Sequence, residues 1–302
     1  MTKPLSDNDL LWRFLFQDAP VRGEAVHMES SWQIILERGQ YPAAVRSLLG
    51  ELLAAATLLT ATLKLEGSII IQAQGHGPVS FLVVECTSDR RHRAMAKWDQ
   101  QTEGLDKPHR DIRKLLGDGR LIITIDQKNL KQRYQGIVEL NGHSVAQILE
   151  HYLEKSEQLG TRLWLSADEH CAAGLLLQQL PAEHHAEIDD DAWNRAVKLA
   201  LTVTKEELLE VDSRTLIHRL YHEENLRLFD PDPVSFHCPC SRERVANAIR
   251  TLGYDDVHNL LLERGNIESH CEFCNARYEF DAVDVEQIFA ADHMNSPRPT
   301  RH

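Results

Sequence analysis

The spacing of apolar residues changes several times along the chain, and each change predicts a new element. Between Leu48 and Leu63, apolar residues recur at steps of three and four, which is the period of a buried helix. A second run of this kind, from Val145 to Leu153, predicts another helix. Short β-like runs punctuated by glycine or proline predict strands over residues 68–74, 79–86, 121–126 and 134–140, and further apolar runs lie at 161–165 and 174–180. Residues 1–181 are therefore predicted to form one α+β domain with a mostly antiparallel sheet.

The character of the chain changes after Pro181. Residues 182–236 contain 13 acidic and 6 basic residues, a net charge of −7, and three of the acids stand together at 189–191. Apolar residues nevertheless keep helical spacing, which predicts helices over 192–202 and 205–221 that lie on another surface, with charge repulsion weakening them. An ordinary interdomain linker has the same pattern, and the pattern alone favours neither interpretation.

Charge and composition exclude several classes of protein. The net charge of −13 over 302 residues argues against binding to a nucleic-acid backbone, which favours clustered positive charge. The first twenty residues carry acids among their apolar residues and lack the apolar core of a secretory signal. The apolar run 48–63 contains Gly50 and Glu51 and is too short to span a bilayer comfortably. We therefore expect a cytoplasmic protein that binds no membrane, in a compartment that keeps thiols reduced.

Four of the six cysteines form two close pairs. Cys86 and Cys171 each stand alone, and because a lone cysteine usually behaves as a small buried hydrophobe, we assign them no role. The other four form C-x-C, then thirty residues, then C-x-x-C, a spacing that supplies four soft ligands to one tetrahedral zinc ion. The predicted ligands are Cys238, Cys240, Cys271 and Cys274.

The residues around these pairs predict a small module over 237–302. Ser241 is suited to cap a helix that ends at Gly253, and a second helix follows as far as Gly265. Asn275, behind the second pair, tolerates the left-handed turn that a metal-binding knuckle often needs, and the alternation after it predicts a strand. Because such a module has a thin core, a structural zinc would contribute on the order of 10 kcal/mol to its folding.

Other uses of the cysteines fit the sequence less well. A dithiol oxidoreductase places C-x-x-C at the start of a helix, whereas Cys274 leads into strand-like sequence. A nucleic-acid-binding ribbon has a basic face, whereas the arginines here alternate with acids, and a ring-type module with two metal sites needs more than four ligands. His237 and His270 each precede a ligand cysteine, and they are either spare ligands or solvated side chains.

The predicted site is also suited to oxidation. A zinc tetrathiolate holds its sulfurs deprotonated, and the thiolate is the form that peroxide attacks. Each cysteine pair is close enough in sequence to form its own disulfide, and each disulfide would remove two metal ligands. The site can therefore act as an oxidant sensor or as a purely structural element, and chemistry alone leaves both open.

Several blocks of sequence, in order, carry a resemblance to a known family. The C-terminal stretch combines FHCPCSRERV with HCEFCNARYEFDAVDV. The other blocks are VRGE (21–24), ELLAAATLLTATLK (51–64), QGHGPV (74–79), RYQGIVEL (133–140), YLEKSEQLGTRL (152–163), GLLLQQLP (174–181) and LIHRLYHEE (216–224). In these blocks the chain resembles the 33 kDa chaperonin family, the redox-regulated heat-shock holdases of bacteria.

The resemblance implies a chaperone domain over 1–181, a metastable helical linker over 182–236 and a zinc-binding redox switch over 237–302. It implies that the reduced form, with one zinc per chain, is inactive, and that oxidants produce the disulfides Cys238–Cys240 and Cys271–Cys274. Zinc release and linker unfolding then follow, the chain forms a homodimer, and newly exposed apolar surface binds unfolding client proteins without ATP. The two lone cysteines lie outside the family's switch motif.

The remaining motifs agree with a protein that is not an enzyme. The chain contains no G-x-x-x-x-G-K-S/T nucleotide loop, and no Ser-His-Asp or paired-carboxylate motif stands out. The alternative function is a constitutive zinc-stabilised module that binds a protein or the ribosome without a redox switch. Suppression of client aggregation before and after treatment with peroxide and mild heat would distinguish the two.

Overall fold

The structure, a computed structural model, describes residues 9–63, 66–108, 111–128, 133–181 and 191–295. The chain forms two compact units that divide between His237 and Cys238. The strands of the first unit are β1 (Leu10–Phe16), β2 (Val21–Met28), β3 (Gly67–Gln74), β4 (Val79–Thr87), β5 (Arg91–Trp98), β6 (Arg120–Gln127), β7 (Tyr134–Glu139), β8 (Thr161–Ala167), β9 (Ala172–Gln179), β10 (Leu226–Leu228), β11 (Asp232–Pro233) and β12 (Ser235–Phe236). Its helices are α1 (Ser30–Gly39), α2 (Ala43–Thr62), α3 (Ile112–Leu116), α4 (Val145–Glu157), α5 (Ala192–Ala200), α6 (Lys205–Glu210) and α7 (Ser213–Tyr221).

Two sheets organise the first unit. The first sheet has the strand order β10-β1-β2-β9-β8, and β11 also pairs with β1. The second sheet has the order β12-β5-β4-β3-β6-β7. Among the described strands, β12 alone pairs in parallel, with β5. All four predicted strands correspond to strands of the second sheet, the apolar runs at 161–165 and 174–180 form β8 and β9 of the first, and the predicted α+β fold with mostly antiparallel strands is confirmed.

The helix α2 forms the centre of the main core. It packs against strands of both sheets, and its alanine and leucine side chains are buried along most of its length. A Cβ atom added to Gly50 would lie 2.3 Å from the Cβ of Ala167, so glycine permits the close approach of α2 to β8. Among the described helices, α2 is the one long and apolar enough to cross a membrane, but 83% of its most apolar window is buried inside the protein.

The opposite face of the first sheet forms a second apolar cluster, which we call the linker-facing cluster, with α5, α6 and α7. Its members from the sheet and the turn before β9 are Phe14, Phe16, Val21, Ala25, Cys171, Ala173, Leu175 and Leu177, and its members from the helices are Ala196, Ala200, Leu208, Leu216, Ile217, Leu220 and Tyr221. The Tyr221 hydroxyl donates to the Ala196 carbonyl at 3.2 Å, which ties α7 to α5. The first sheet therefore has α2 on one face and these three helices on the other.

The three helices correct one detail of the sequence prediction. A single helix over 205–221 is wrong, because Val211 has an extended backbone (φ −104°, ψ 129°) and ends α6. Asp212 then starts α7 by accepting a hydrogen bond from the Thr215 N–H at 2.9 Å. The helix predicted from residue 192 is confirmed, although α5 ends at Ala200. Of the acids at 189–191, the first two lie outside the described residues.

The second unit is small. It contains α8 (Arg242–Leu252), α9 (Tyr254–Arg264), the hairpin of β13 (Ile267–His270) with β14 (Arg277–Phe280), and α10 (Ala282–Asn295). The two predicted helices and the predicted strand are confirmed, whereas β13 and α10 were not predicted. Its buried apolar side chains are Ile249, Val257, Leu261, Phe280, Val285, Ile288 and Phe289. A core of this size is thin for an independently folded unit, as the sequence indicated.

Candidate metal centre

The first cysteine pair is held between a strand end and a helix start. Cys238 and Cys240 follow β12 and directly precede α8. The Ser241 hydroxyl caps α8 by accepting a hydrogen bond from the Arg244 N–H at 3.2 Å, as the sequence predicted. The unpaired N–H groups in the first turn of a helix carry partial positive charge. This position therefore favours a thiolate at Cys240.

The second cysteine pair occupies the turn of the β13–β14 hairpin. The Asn275 N–H donates to the Cys271 carbonyl at 2.8 Å, and the Cys271 N–H donates to the Ala276 carbonyl at 3.0 Å. Asn275 has a φ of 56°, the left-handed conformation predicted for it. The turn brings Cys271 and Cys274 to the same side, and the pair does not lie at the start of a helix, which is where a dithiol oxidoreductase would place it.

The four thiols form one cluster. All four Sγ atoms lie within 4.8 Å of one another. The shortest approaches join Cys240 to Cys274 at 3.2 Å and Cys238 to Cys271 at 3.6 Å. A tetrahedral zinc site with Zn–S bonds of about 2.3 Å separates its sulfurs by about 3.8 Å, so the observed spacing fits such an ion. The cysteines are half-buried, which shields the sulfurs and leaves them within reach of a small oxidant.

Tyr278 is a member of the site that the sequence analysis did not identify as such. Its hydroxyl donates to Cys240 Sγ at 3.1 Å. Burial opposes ionisation of the Cys240 thiol, but hydrogen bonds from Tyr278 and from the neighbouring thiols outweigh it and lower the pKa to about 7. Burial, together with the hydrogen bond to Cys240, raises the pKa of Cys274. Cys240 is therefore a more acidic thiol than Cys274, and a bound cation would favour loss of the thiol protons.

The two candidate histidine ligands lie apart from this arrangement. Among the described residues, the group that could hold a metal consists of the four cysteines alone. The Nε2 atom of His270 lies 3.2 Å from a carboxylate oxygen of Glu268, and this histidine is about half exposed. His237 is exposed, and its backbone N–H donates to the backbone carbonyl of His92 at 2.9 Å. Both positions agree with solvated histidines.

Arg242 connects the metal centre to the thin core of its unit. Its guanidinium lies 4.3 Å from the centroid of the Phe280 ring. The same group donates to the Glu279 carbonyl and to the Asp284 carboxylate, each at 2.6 Å. These contacts join the start of α8, which follows the first cysteine pair, to β14 and α10.

The two remaining cysteines are buried, as predicted for lone cysteines. Cys86 is 0% exposed and Cys171 is 3% exposed. Burial raises the pKa of the Cys86 thiol to about 11 and also raises that of Cys171. Neither belongs to the four-cysteine group.

Comparisons with known proteins identify the family. The model of the Hsp33 protein family matches residues 9–281. The chain is 49% identical over 299 residues to the 33 kDa chaperonin of Pseudomonas syringae pv. tomato, covering 98% of each chain. It is 49% identical over 302 residues to that of Azotobacter vinelandii (99% of this chain, 100% of the relative), and 46% identical over 296 residues to that of Methylobacillus flagellatus (98% and 99%).

A solved structure shows the same fold. The crystal structure of the 33 kDa chaperonin from Thermotoga maritima matches with a TM-score of 0.79, covering 95% of this chain and 100% of that chain, at 20% identity. At this identity the likeness concerns the fold alone, whereas the family match and the closer relatives cover nearly the whole chain. The chain therefore belongs to the Hsp33 family, whose members are heat-shock chaperones and not enzymes.

Proposed function

We propose that this protein is a redox-regulated, ATP-independent holdase of the cytoplasm, inactive when reduced and zinc-bound. One observation carries the proposal: a four-cysteine cluster comes, in sequence, after a helical segment that covers an apolar sheet face. The proposed functional division is a chaperone domain over 1–181, a linker over 182–236 and a switch over 237–302. Its clients are unfolding proteins, and the oxidised form is a homodimer.

The metal step of the proposal concerns the four thiolates. A bound zinc would hold Cys238, Cys240, Cys271 and Cys274 as thiolates at one point and so stabilise the second unit. Among the side chains that the structure describes in that unit, seven apolar ones are buried in its core, so its folding depends strongly on such a cross-link. Loss of the cross-link would remove on the order of 10 kcal/mol, which is comparable with the net stability of a whole domain.

Oxidation would remove this cross-link by converting four thiolates into two disulfides. Since all Sγ atoms lie within 4.8 Å of one another, the sequence neighbours Cys238–Cys240 and Cys271–Cys274 can pair by local rearrangement. Formation of each disulfide from two thiolates passes two electrons to one molecule of hydrogen peroxide. The peroxide takes up two protons from the solvent, its O–O bond breaks, and two water molecules form. Four ligands are lost in this way, and the second unit loses its principal cross-link.

The linker is suited to respond because each of its helices is short. α5, α6 and α7 contain nine, six and nine residues, and isolated helices below about 12–15 residues are marginal in water. The fully buried residues of α5 are all alanines, and its larger apolar side chains, Trp193, Val197 and Leu199, are only partly buried against the cluster. The helices therefore persist mainly because they dock on the sheet. Docking is opposed by the net charge of −7 over 182–236.

The end of the linker is connected to the switch by very few residues. β11 pairs with β1 of the first sheet, and β12 pairs with β5 of the second. Val234, between them, is fully buried. Cys238 follows only two residues after Phe236, so unfolding that begins at the cluster reaches this anchor first. Release of the linker would then uncover the sheet face of Phe14, Phe16, Leu175 and Leu177 to clients.

The test compares chaperone activity with zinc release in the same samples. Aggregation of an unfolded client is followed by light scattering without ATP, for reduced zinc-loaded protein and after peroxide at mild heat, while a chromogenic chelator reports free zinc. We expect suppression of aggregation to appear only after oxidation and to follow zinc release. Equal suppression by the reduced form would instead support a constitutive binding module. Cys86→Ser is the control for loss of a cysteine that does not belong to the cluster.

A further inference from the structure

Cys171 and Cys86 are both buried, but different elements cover them. Cys86 lies in β4 and packs in the core around α2. Cys171 lies in the linker-facing cluster, and α6 packs against β8 and β9, the strands on either side of Cys171. Removal of the linker therefore uncovers Cys171 and leaves Cys86 covered.

The backbone holds Cys171 in place without help from the linker. The Asp168 carboxylate accepts hydrogen bonds from the N–H groups of His170 at 2.7 Å and Cys171 at 2.8 Å. The Trp32 indole N–H in turn donates to the Asp168 carbonyl at 2.9 Å. The turn between β8 and β9 is thus held by its own hydrogen bonds and by Trp32 of α1, so the backbone of Cys171 keeps its position when α6 leaves.

A buried histidine lies beside this thiol. His27 shares the linker-facing side of β2 with Val21 and Ala25, since residues two apart point to the same face of a strand. Its Nε2 atom lies 3.2 Å from Cys171 Sγ and 2.8 Å from the carbonyl oxygen of Leu209 in α6. Its Nδ1 atom is buried and makes no hydrogen bond among the described residues, and a carboxylate oxygen of Glu29 lies 3.9 Å from it.

The Leu209 carbonyl determines which ring nitrogen carries the proton. A carbonyl oxygen only accepts hydrogen bonds, so Nε2 is the protonated nitrogen while α6 is docked. Cys171 then faces an N–H and not a lone pair, and His27 cannot take the thiol proton at that nitrogen. Departure of α6 removes the carbonyl and lets Nε2 act as an acceptor. The docked linker thus both covers the thiol and keeps its neighbouring base in the wrong tautomer.

We infer that Cys171 and His27 form a linker-gated thiol site that reacts with low-molecular-weight disulfides once α6 leaves the sheet. The Cys171 thiol gives its proton to His27 Nε2, and the resulting thiolate attacks one sulfur of the disulfide. A bond forms between Cys171 and that sulfur, the original sulfur–sulfur bond breaks, and the leaving thiolate takes the proton from the imidazolium. The disulfide is the only oxidant required.

The adduct would shift the equilibrium between docked and released linker toward the released state. A group attached to Cys171 occupies the place where Leu208 and Leu209 dock, so α6 cannot return until the adduct is reduced. The inference rests on the proposed function for the release of the linker, but it assigns a second redox site in the first unit, separate from the metal centre.

The test opens the linker without touching the metal centre. Leu208→Asp places a carboxylate in the linker-facing cluster and so opposes docking of α6. The zinc-loaded full chain is treated with oxidised glutathione, and adducts at each cysteine are timed by peptide mass spectrometry. We expect the rate at Cys171 to rise more than about ten-fold over the unsubstituted protein, while Cys86 stays unreactive. Because zinc remains bound, the result does not depend on whether oxidation of the switch releases the linker.

A second substitution separates access from activation. His27→Gln in the Leu208→Asp background keeps the thiol uncovered but removes the base, so the rate at Cys171 should fall several-fold with linker hydrogen exchange unchanged. An unchanged rate would overturn the role of His27, and equal rates at Cys171 and Cys86 in both Leu208→Asp and Leu216→Ala would overturn the gating. If Leu208→Asp also exposes Cys86 by wider unfolding, the same comparison is made in Leu216→Ala, which loosens the linker without introducing a charge.

Discussion

Truncation of one leucine in α7 should release the linker without oxidation. Leu216 is 1% exposed and packs in the linker-facing cluster. Replacing a fully buried leucine by alanine typically costs about 2–5 kcal/mol, of which we take about 3 kcal/mol as the central value. Because the substituted atoms contact the sheet only while α7 is docked, this cost falls on docking. The ratio of released to docked linker should therefore rise about 150-fold, at about 1.4 kcal/mol per factor of ten.

The same linker offers a matched control. Leu201 is 67% exposed, so its side chain lies mostly in solvent. Leu201→Ala therefore deletes the same atoms as Leu216→Ala, but at a position outside the linker-facing cluster. Alanine has a slightly higher helix propensity than leucine, so neither substitution weakens the helices themselves. A difference between the two variants therefore measures docking.

The assay is hydrogen exchange of the reduced, zinc-loaded protein, read at residues 213–221 and at residues 48–60. Protection in α7 should fall by about two orders of magnitude in Leu216→Ala, remain unchanged in Leu201→Ala, and remain high in α2 in both. Client aggregation should be suppressed by the reduced Leu216→Ala protein alone. Full protection of α7 in that variant would refute the marginal docking of the linker, and lost protection without chaperone activity would refute the sheet face as the client surface.

Three further predictions concern the metal centre and a buried carboxylate. Cys271→Ser combined with Cys274→Ser should abolish zinc binding by metal analysis, and undiminished zinc would exclude the cysteine cluster as the site. Tyr278→Phe should weaken zinc binding by roughly ten-fold in chelator competition, because Cys240 loses a hydrogen-bond donor, whereas Tyr254→Phe, in the same unit, should not. Burial raises the pKa of Glu24 from 4.5 to about 7, so the wild type should lose roughly 2 kcal/mol relative to Glu24→Gln as pH rises from 5.5 to 8.5, part of roughly 3 kcal/mol over the whole range from below 4.5 to above 7. Urea unfolding at pH 5.5 and pH 8.5, followed by tryptophan fluorescence, measures this difference, and a pH-independent difference would contradict it.

The sign for Glu24 follows from proton binding in the two states. Between pH 4.5 and 7 the folded protein holds a proton on this carboxyl that the unfolded chain has lost, so stability falls as pH rises. One of its carboxylate oxygens is buried with no hydrogen-bond partner among the described residues, and a buried oxygen without a donor disfavours the ionised form. All five tryptophans lie in the first unit, so fluorescence reports the unit that contains Glu24.

The elements that the sequence predicted well are those whose local pattern matches their environment. The stretch around Leu48 to Leu63 was predicted as a helix because its apolar spacing is regular, and its burial inside the protein follows the same pattern. The cysteine cluster was predicted because two close pairs restrict where four sulfurs can lie, and the structure brings all four together. The cap at Ser241 and the left-handed Asn275 were predicted for the same local reasons.

The elements that were missed have patterns that only tertiary structure explains. β2 contains Arg22, Glu24 and His27, polar residues that argue against a buried strand. Both faces of its sheet are covered by helices, however, and Glu24 and His27 are buried. β5 carries basic residues on its outward side, which hides its alternation. Tyr278 was expected only as part of a strand, because its contact with Cys240 spans 38 residues and no local pattern encodes it. The His27–Cys171 contact spans 144 residues and was hidden for the same reason.

The division of the fold into two apolar clusters explains how one part of the first unit can be released while the rest persists. The core around α2 lies between the two sheets and contains most of the buried side chains, whereas the linker-facing cluster lies on the outer face of the first sheet. The strands of that sheet are hydrogen-bonded to one another and packed on α2, so removal of α5, α6 and α7 breaks no ladder among β1, β2, β9 and β8. A sheet with a permanent cover on one face and a marginal cover on the other can therefore expose an ordered apolar surface. An unfolded chain could not present such a surface, because its own apolar residues would collapse or aggregate.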